Sequence, residues 1–271
     1  MRMIERAALL FCFLTVNSLS YADTICNLLY PDTILGAAAT FGVLGASTVT
    51  NTGPSVINGD LGLYAGTSIT GFPLGIVNGT IDDTDSLAEQ AQADALFAYN
   101  VLAGLAPNGN LTGQDLGGLT LTPGAYQFDS SAMLTGALTL NFQGLSNQNF
   151  VFQIGSTLTT ASSSSVLITN PGDDDSVYWQ VGSSATLGTT TAFYGTIIAD
   201  ASITLDTGTT IVCGNALALT GAVTMDTNTV SVGTCTVPDT DTPEPSTVLL
   251  LAAGLIAGAG WIARARAHRD R

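Results

Sequence analysis

The side chains that most often carry chemistry are nearly absent from the body of this 271-residue chain. Its one histidine is His268, its six arginines are Arg2, Arg6, Arg264, Arg266, Arg269 and Arg271, and it has no lysine. Between Asp23 and Pro238 there is no cationic side chain, against sixteen Asp or Glu. A His-based triad or a His-ligated zinc has no donor there. Phosphoryl transfer has no Arg or Lys clamp, and nucleic acid finds no cationic contact for its phosphates. Carboxylates are what remain. Asp173-Asp174-Asp175, after Pro171-Gly172, has the composition of a Ca²⁺ loop or of a carboxylate pair for glycoside hydrolysis. The favoured reading is a solvated turn. Asp82, Asp83 and Asp85 precede a helical stretch and suit its positive end. No catalytic residue, metal site or cofactor is expected, and the chain is not read as an enzyme.

What recurs instead is threonine, 34 of the 216 residues from Asp23 to Pro238. It recurs in register. Gly136-Ala137-Leu138-Thr139-Leu140, Ser156-Thr157-Leu158-Thr159-Thr160, Ser183-Ser184-Ala185-Thr186-Leu187, Ala201-Ser202-Ile203-Thr204-Leu205 and Gly221-Ala222-Val223-Thr224-Met225 align on Thr139, Thr159, Thr186, Thr204 and Thr224. The intervals are 20, 27, 18 and 20 residues, the mark of a β-solenoid unit with loop insertions. Alternation along such strands sends Leu138, Leu158, Ile203 and Val223 inward, with Leu140, Leu187, Leu205 and Met225. The outward pairs are Ala137/Thr139, Thr157/Thr159, Ser184/Thr186, Ser202/Thr204 and Ala222/Thr224, all small and uncharged. A second ladder, Thr189/Thr191, Thr207/Thr209 and Thr227/Thr229, falls in or near corners and ranks lower. Substitution at Thr209 is accordingly expected to matter less.

The elements that must position these ladders are legible around them. A second strand type, with Phe150-Val151-Phe152 and Ile154, Tyr178-Trp179 and Val181, or Ile197-Ile198, is apolar on both faces and needs cover on both. The available cover is one helix over about residues 86–104. Ser86-Leu87-Ala88-Glu89 has the form of a capping box. Leu87, Ala91, Ala95, Ala98 and Leu102 then form one mostly alanine stripe, and Gly104 and Pro107 end it.

The two ends read as sorting signals. Residues 1–22 have a basic start, the apolar run Ala7 to Leu14, and Ser20-Tyr21-Ala22, which predicts a secretory signal peptide cleaved after Ala22. Residues 23–236 form the β-domain and 237–246 a polar linker. Residues 247–263 are almost wholly apolar, about as long as the shortest membrane spans, and 264–271 are a basic tail. Pro243-Glu244-Pro245, the hydrophobic helix and the terminal arginines together resemble the PEP-CTERM sorting signal of Gram-negative bacteria. The resemblance implies an exosortase-type processing enzyme as a partner, and a protein released or held at the cell surface and membrane-anchored only before processing. Cys12 leaves with the signal peptide, so Cys26, Cys213 and Cys235 remain. An odd count in an oxidising compartment predicts one disulfide and one free thiol.

Phe41-Gly42-Val43-Leu44-Gly45, Ile57-Asn58-Gly59-Asp60-Leu61-Gly62, Gly71-Phe72-Pro73, Leu119 to Tyr126, Phe152 to Ser156 and Trp179 to Gly188 come in this order around the helix. Together they resemble the microbial ice-binding (antifreeze) family with a discontinuous β-helix, over roughly residues 34 to 233. The resemblance implies a mainly β fold, a right-handed β-helix of triangular cross-section with the long α-helix packed alongside. It also implies that the first rung stacks on the last, which would bring Cys26 near the C-terminal rungs; Cys213 and Cys235, one rung apart, are the competing pair.

An ice-binding face must meet a solid made of its own solvent. Charged groups hold hydration shells that match no lattice, whereas threonine offers a methyl, a hydroxyl and a stiff χ1. Equivalent solenoid residues stack about 4.8 Å apart and i, i+2 residues about 6.7 Å apart, so the ten outward positions would form a two-column grid. Their many weak contacts add on a rigid template. The expected partner is an ice crystal surface, met by a monomer. The competing function is a surface adhesin binding neutral polysaccharide, which would favour exposed aromatics that the threonine face lacks.

Overall fold

The structure, a computed structural model, describes residues 34–233. A 3₁₀ turn at Gly36–Thr40 leads into β1 (Phe41–Gly45), β2 (Thr48–Asn51), β3 (Val56–Asn58), β4 (Asp60–Leu63), β5 (Ser68–Thr70), β6 (Ile76–Val77) and β7 (Ile81–Asp83). Helix α1 (Ser86–Ala103) follows, then β8 (Gly109–Asn110), β9 (Thr120–Leu121), β10 (Gly124–Phe128), β11 (Ala132–Leu134) and β12 (Ala137–Asn141). The rest repeats in threes: β13 (Asn149–Ile154), β14 (Leu158–Thr160), β15 (Ser165–Thr169); β16 (Ser176–Val181), β17 (Ala185–Leu187), β18 (Ala192–Tyr194); β19 (Thr196–Ala199), β20 (Ile203–Leu205), β21 (Thr210–Val212); β22 (Ala216–Ala218), β23 (Val223–Met225), β24 (Thr229–Ser231).

From β1 to β7 and again from β10 to β24 each successive strand goes to the next of three parallel sheets, the arrangement of a β-solenoid; the helix interrupts the cycle between β7 and β8. A helix-backed sheet has the order β7-β4-β1-β22-β19-β16-β13-β10-β8, a threonine sheet β11-β14-β17-β20-β23-β2-β5, and a third sheet β6-β3-β24-β21-β18-β15-β12-β9. The stacking order departs from the chain order at one seam. There β1, β2 and β3 lie against β22, β23 and β24, so the first rung closes on the last. Polar side chains hold that seam. Asn215 Nδ2 donates to Phe41 O at 2.7 Å and Asn228 N to Ser55 Oγ at 2.9 Å. Asn58 Nδ2 donates to Ser231 Oγ at 2.9 Å.

Alternation gives the solenoid its interior. The predicted inward residues Leu138, Leu140, Leu158, Leu187, Ile203, Leu205, Val223 and Met225 are all buried. Larger rings fill the middle, where Phe152 stacks on Trp179 with centroids 4.0 Å apart and Phe142 meets Phe150 edge-on at 4.9 Å. Buried aromatics of this size dominate core energetics.

The helix supplies the second cover that the doubly apolar strands require. Ala91, Ala95, Ala98 and Leu102 pack on Phe41, Leu44, Val151, Tyr178, Ile198 and Leu217. Alanine lets the helix backbone come close enough for Gln92 Nε2 to reach Gly45 O at 2.9 Å and Ala218 O at 3.1 Å, one carbonyl on each side of the seam. Two details of the sequence reading change. Asp85, not Ser86, is the N-cap, its Oδ1 accepting from Leu87 N at 3.0 Å and Ala88 N at 2.9 Å. A carboxylate there also faces the positive helix end, which a serine would not match. Glu89 instead accepts from the Tyr64 hydroxyl at 2.7 Å. The buried stripe begins at Ala88, and Leu87 is exposed.

Candidate functional site

The middle residue of the three-residue strands β11, β14, β17, β20 and β23 of the threonine sheet points out of the solenoid, because both its neighbours point in. On β14, β17, β20 and β23 these are Thr159, Thr186, Thr204 and Thr224, paired one on the next. The column does not stop at the seam. Thr224 pairs with Thr50 on β2 and Thr50 with Thr70 on β5, so six threonines from two distant parts of the chain stand in one line. Met133 on β11 continues the line beyond Thr159 and is 54% exposed, and Asp115 bridges to Met133 at the end.

A second column lies two residues earlier on each rung: Ser131, Thr157, Ser184, Ser202, Ala222, Thr48 and Ser68. The two columns differ in their bonding. Ser184 Oγ accepts from Ser202 N at 3.3 Å, Ser202 Oγ accepts from Ala222 N at 3.1 Å, and Thr157 Oγ1 donates to Ser131 Oγ at 2.8 Å. Among the described residues, the hydroxyls of Thr50, Thr70, Thr159, Thr186, Thr204 and Thr224 have no hydrogen-bond partner. All are at least partly exposed, so solvent can reach them. Neither column contains an ionisable side chain.

Carboxylates stand only at the margins. Burial pushes the Asp115 pKa up, but hydrogen bonds from the Thr135 side chain and from the N–H groups of Gly117 and Thr135 outweigh it and leave the pKa below the usual value. Thr207 and Thr227 hydroxyls lower that of Asp226 at the corner after β23.

The structure brings together eight of the ten residues expected on this face. Ala137 and Thr139 are elsewhere. They lie on β12 in the third sheet, where Ala137 pairs with Ser165, and Thr139 with Thr120 and Leu167. Leu138-Thr139-Leu140 alternates as well as any threonine-sheet strand, and nothing in alternation says which sheet a strand joins. The rung's true threonine-sheet strand is Ala132-Met133-Leu134, hidden by its methionine. Thr48, Thr50, Ser68, Thr70 and Ser131 were missed. Thr48-Val49-Thr50 and Ser68-Ile69-Thr70 carry the same outward-inward-outward pattern, but only the stacking of first rung on last attaches them to the face.

The corner ladder divides in two. Thr191 and Thr209 are 0% exposed and bonded inside, Thr191 Oγ1 with Thr160 Oγ1 at 2.8 Å and Thr209 Oγ1 to Gly188 O at 3.0 Å. Thr189, Thr207 and Thr227 are exposed on the turn. The expectation that Thr209 tolerates a bulky replacement is therefore overturned, since its side chain faces the core. Asp175 has a structural task in its turn: its Oδ1 accepts from Gln148 N at 2.8 Å and its Oδ2 from Gly172 N at 2.7 Å. Among the described residues no group of three or more His, Cys, Asp or Glu is arranged to hold a metal.

The sequence profile described as Ice-binding-like matches residues 43–231, the span that holds both columns. The chain belongs to the ice-binding-like family. It is 61% identical over 226 residues to the ice-binding protein of Nostoc sp. (strain HG1), covering 82% of this chain and 84% of that one. It is 34% identical to the ice-binding protein of Colwellia sp, over 74% of this chain and 83% of that one. The crystal structure of the ice-binding protein from the Antarctic ascomycete Antarctomyces psychrotrophicus superposes with a TM-score of 0.68 at 44% identity. It covers 73% of this chain and 97% of that chain. A second profile, the PEP-CTERM protein-sorting motif, matches residues 241–266 behind the ice-binding-like domain. That segment, with residues 1–22 expected to form a signal peptide, Cys26 and Cys235, lies outside the described residues. Among the described residues no helix is long and apolar enough to cross a membrane.

Proposed function

We propose that this chain adsorbs to ice through the threonine sheet and so inhibits ice growth or recrystallisation. One observation carries the proposal: six stacked threonines whose hydroxyls are free of protein partners, on a face without charge. Parallel strands hold such a column at about 4.8 Å intervals. The β-branched side chain restricts χ1, so little rotamer entropy is lost on contact. Methyls at that spacing leave room for lattice-like water between them, and the free hydroxyls anchor it. The contact residues are Thr157, Thr159, Ser184, Thr186, Ser202, Thr204, Ala222 and Thr224, extended by Thr48, Thr50, Ser68 and Thr70. The similarity to ice-binding relatives supports this reading and gives none to the polysaccharide adhesin.

The same proposal covers the chain's route and state. The mature protein begins near Asp23, is exported, and is processed at its C-terminal signal by an exosortase-type enzyme, reaching the medium or the cell surface. It acts as a monomer and without catalysis. The bridged state of Cys213 supports one disulfide. Its place favours Cys235 as the partner, because Val212 pairs with Ser231 and Gly214 N donates to Ser231 O at 3.1 Å, four residues before Cys235. The deciding experiment is nanolitre osmometry of the mature protein. Faceted crystals and a gap between melting and freezing points are expected, and round crystals with no gap would end the proposal.

A further inference from the structure

We infer that Ser184 and Ser202 are positioning residues that keep the ice-contacting threonines level, by closing the backbone N–H groups at the corner where each rung enters the threonine sheet. The inference rests on the ice-adsorption proposal and adds a division of labour between the two columns.

It begins from an accounting of backbone groups. The carbonyl of Ser202 accepts from Ala185 N at 2.9 Å and that of Ala222 from Ile203 N at 2.9 Å, which are ladder bonds between rungs. The N–H groups of these two residues go instead to the serine hydroxyl of the neighbouring rung, Ser202 N to Ser184 Oγ and Ala222 N to Ser202 Oγ. A backbone N–H left without a partner at a partly buried corner is costly. The fit is close on one side: a Cβ added at Gly221 would come within 2.3 Å of Ser202 Oγ, so the absence of a side chain there makes room for the hydroxyl.

These bonds act on the face two residues later. Ser184 precedes Thr186 and Ser202 precedes Thr204, and the corner sets the height at which each short strand starts. Without the hydroxyl, the freed N–H recruits a water that is bound to protein and not to ice, at the edge of a face that must be flat. Each serine oxygen accepts a hydrogen bond from a backbone N–H, which leaves its own O–H for solvent. The threonine hydroxyls remain free to turn.

The test uses the mature protein and compares Ser184→Ala, Ser184→Thr, Ser202→Ala and Thr186→Val. Amide hydrogen exchange is read residue by residue beside thermal hysteresis. Ser184→Ala is expected to speed exchange at the Ser202 N–H several-fold and to lower hysteresis clearly, while third-sheet amides keep their protection. Ser202→Ala is expected to do the same at the Ala222 N–H. Ser184→Thr, which restores an acceptor, should keep exchange at the Ser202 N–H slow, and Thr186→Val should lose activity without changing that exchange. Full hysteresis in both alanine variants, or unchanged exchange at both amides, would overturn the inference while leaving ice adsorption standing. Absence of hysteresis in the unmutated protein would sink the adsorption proposal itself, and the exchange results would then describe a structural ladder only.

Discussion

The threonine sheet and the third sheet are built from the same rungs, and their inner faces follow the same alternation. Val223 and Val230, or Ile203 and Ile211, are buried alike a few residues apart on one rung. Outside they diverge. The threonine sheet shows threonine at six successive positions of one column. The corresponding stretch of the third sheet runs Leu167, Tyr194, Val212 and Ser231, with Leu167 and Val212 nearly half exposed. Burial pushes the Tyr194 pKa up to about 12, with the charge of Asp175 adding to it, as its ring folds down among its neighbours. The core needs only an inward hydrophobe at every second residue, so it leaves the outward positions free. Variety is what such freedom gives on the third sheet. Uniformity on the threonine sheet is not demanded by the core, and adsorption to a flat crystal, as proposed above, would account for it.

The harshest way to break the comparison is to raise one side chain on each sheet. Thr186→Tyr or Thr204→Tyr is expected to abolish most of the hysteresis, because a protrusion lifts its neighbours off a rigid plane. Val212→Tyr on the third sheet should leave it intact. All three are surface changes, expected to alter stability by no more than about 0.5 kcal/mol, and thermal unfolding followed by circular dichroism checks that. Loss of activity with Val212→Tyr and tolerance of Thr204→Tyr would mean that ice meets the third sheet.

A subtler pair separates sequence alignment from stacking. Thr139 shares the repeat pattern of the column threonines but sits on the third sheet, whereas Thr50 lies 174 residues from its neighbour Thr224 and shares its column. Thr50→Tyr is expected to reduce hysteresis substantially and Thr139→Tyr to leave it unchanged, both measured at equal folded concentration. The fold was legible here to a useful degree. Alternation located the inward residues, alanine spacing located the helix, and the doubly apolar strands announced that something covers them. What stayed hidden has one physical cause: a strand's period reports which side faces the core and not which sheet the strand joins. Thr139 was misassigned for that reason, and Met133 concealed its own strand because it lacks the threonine that marked the others. The corner threonines were ambiguous for a related reason. Thr209 looks like any outward hydroxyl in sequence, yet a carbonyl inside the turn satisfies it.

Met133 also offers a way to sharpen the contrast. It is the one long side chain standing in the threonine column, paired with Thr159. Met133→Thr would extend the uniform column by one rung. A modest gain in hysteresis is expected, with freezing measured at matched concentration, because one more rung would add to the contacts proposed for six. An unchanged value would place the working edge of the face at Thr159.

The smallest expected effect is that of pH. The two columns hold no titrating group, so hysteresis per folded molecule should be flat from about pH 5 to about pH 9, between the carboxylate and tyrosine ranges. Over that range and below it, stability should respond only in acid. Asp60, Asp115 and Asp226 have pKa values below the ordinary 3.8, so their contribution is present above about pH 4 and is lost as pH falls through the depressed values. Asp175 has the opposite sign. Burial and the charges of Asp173 and Asp174 raise its pKa, so it favours the fold below its unfolded value and loses that contribution as pH rises through its folded one. Three groups against one predict a net fall in melting temperature below about pH 4, measurable by calorimetry. A step in hysteresis at neutral pH, with the melting temperature constant, would put an ionisable group in contact with ice and so point away from the threonine sheet, where neither column holds one.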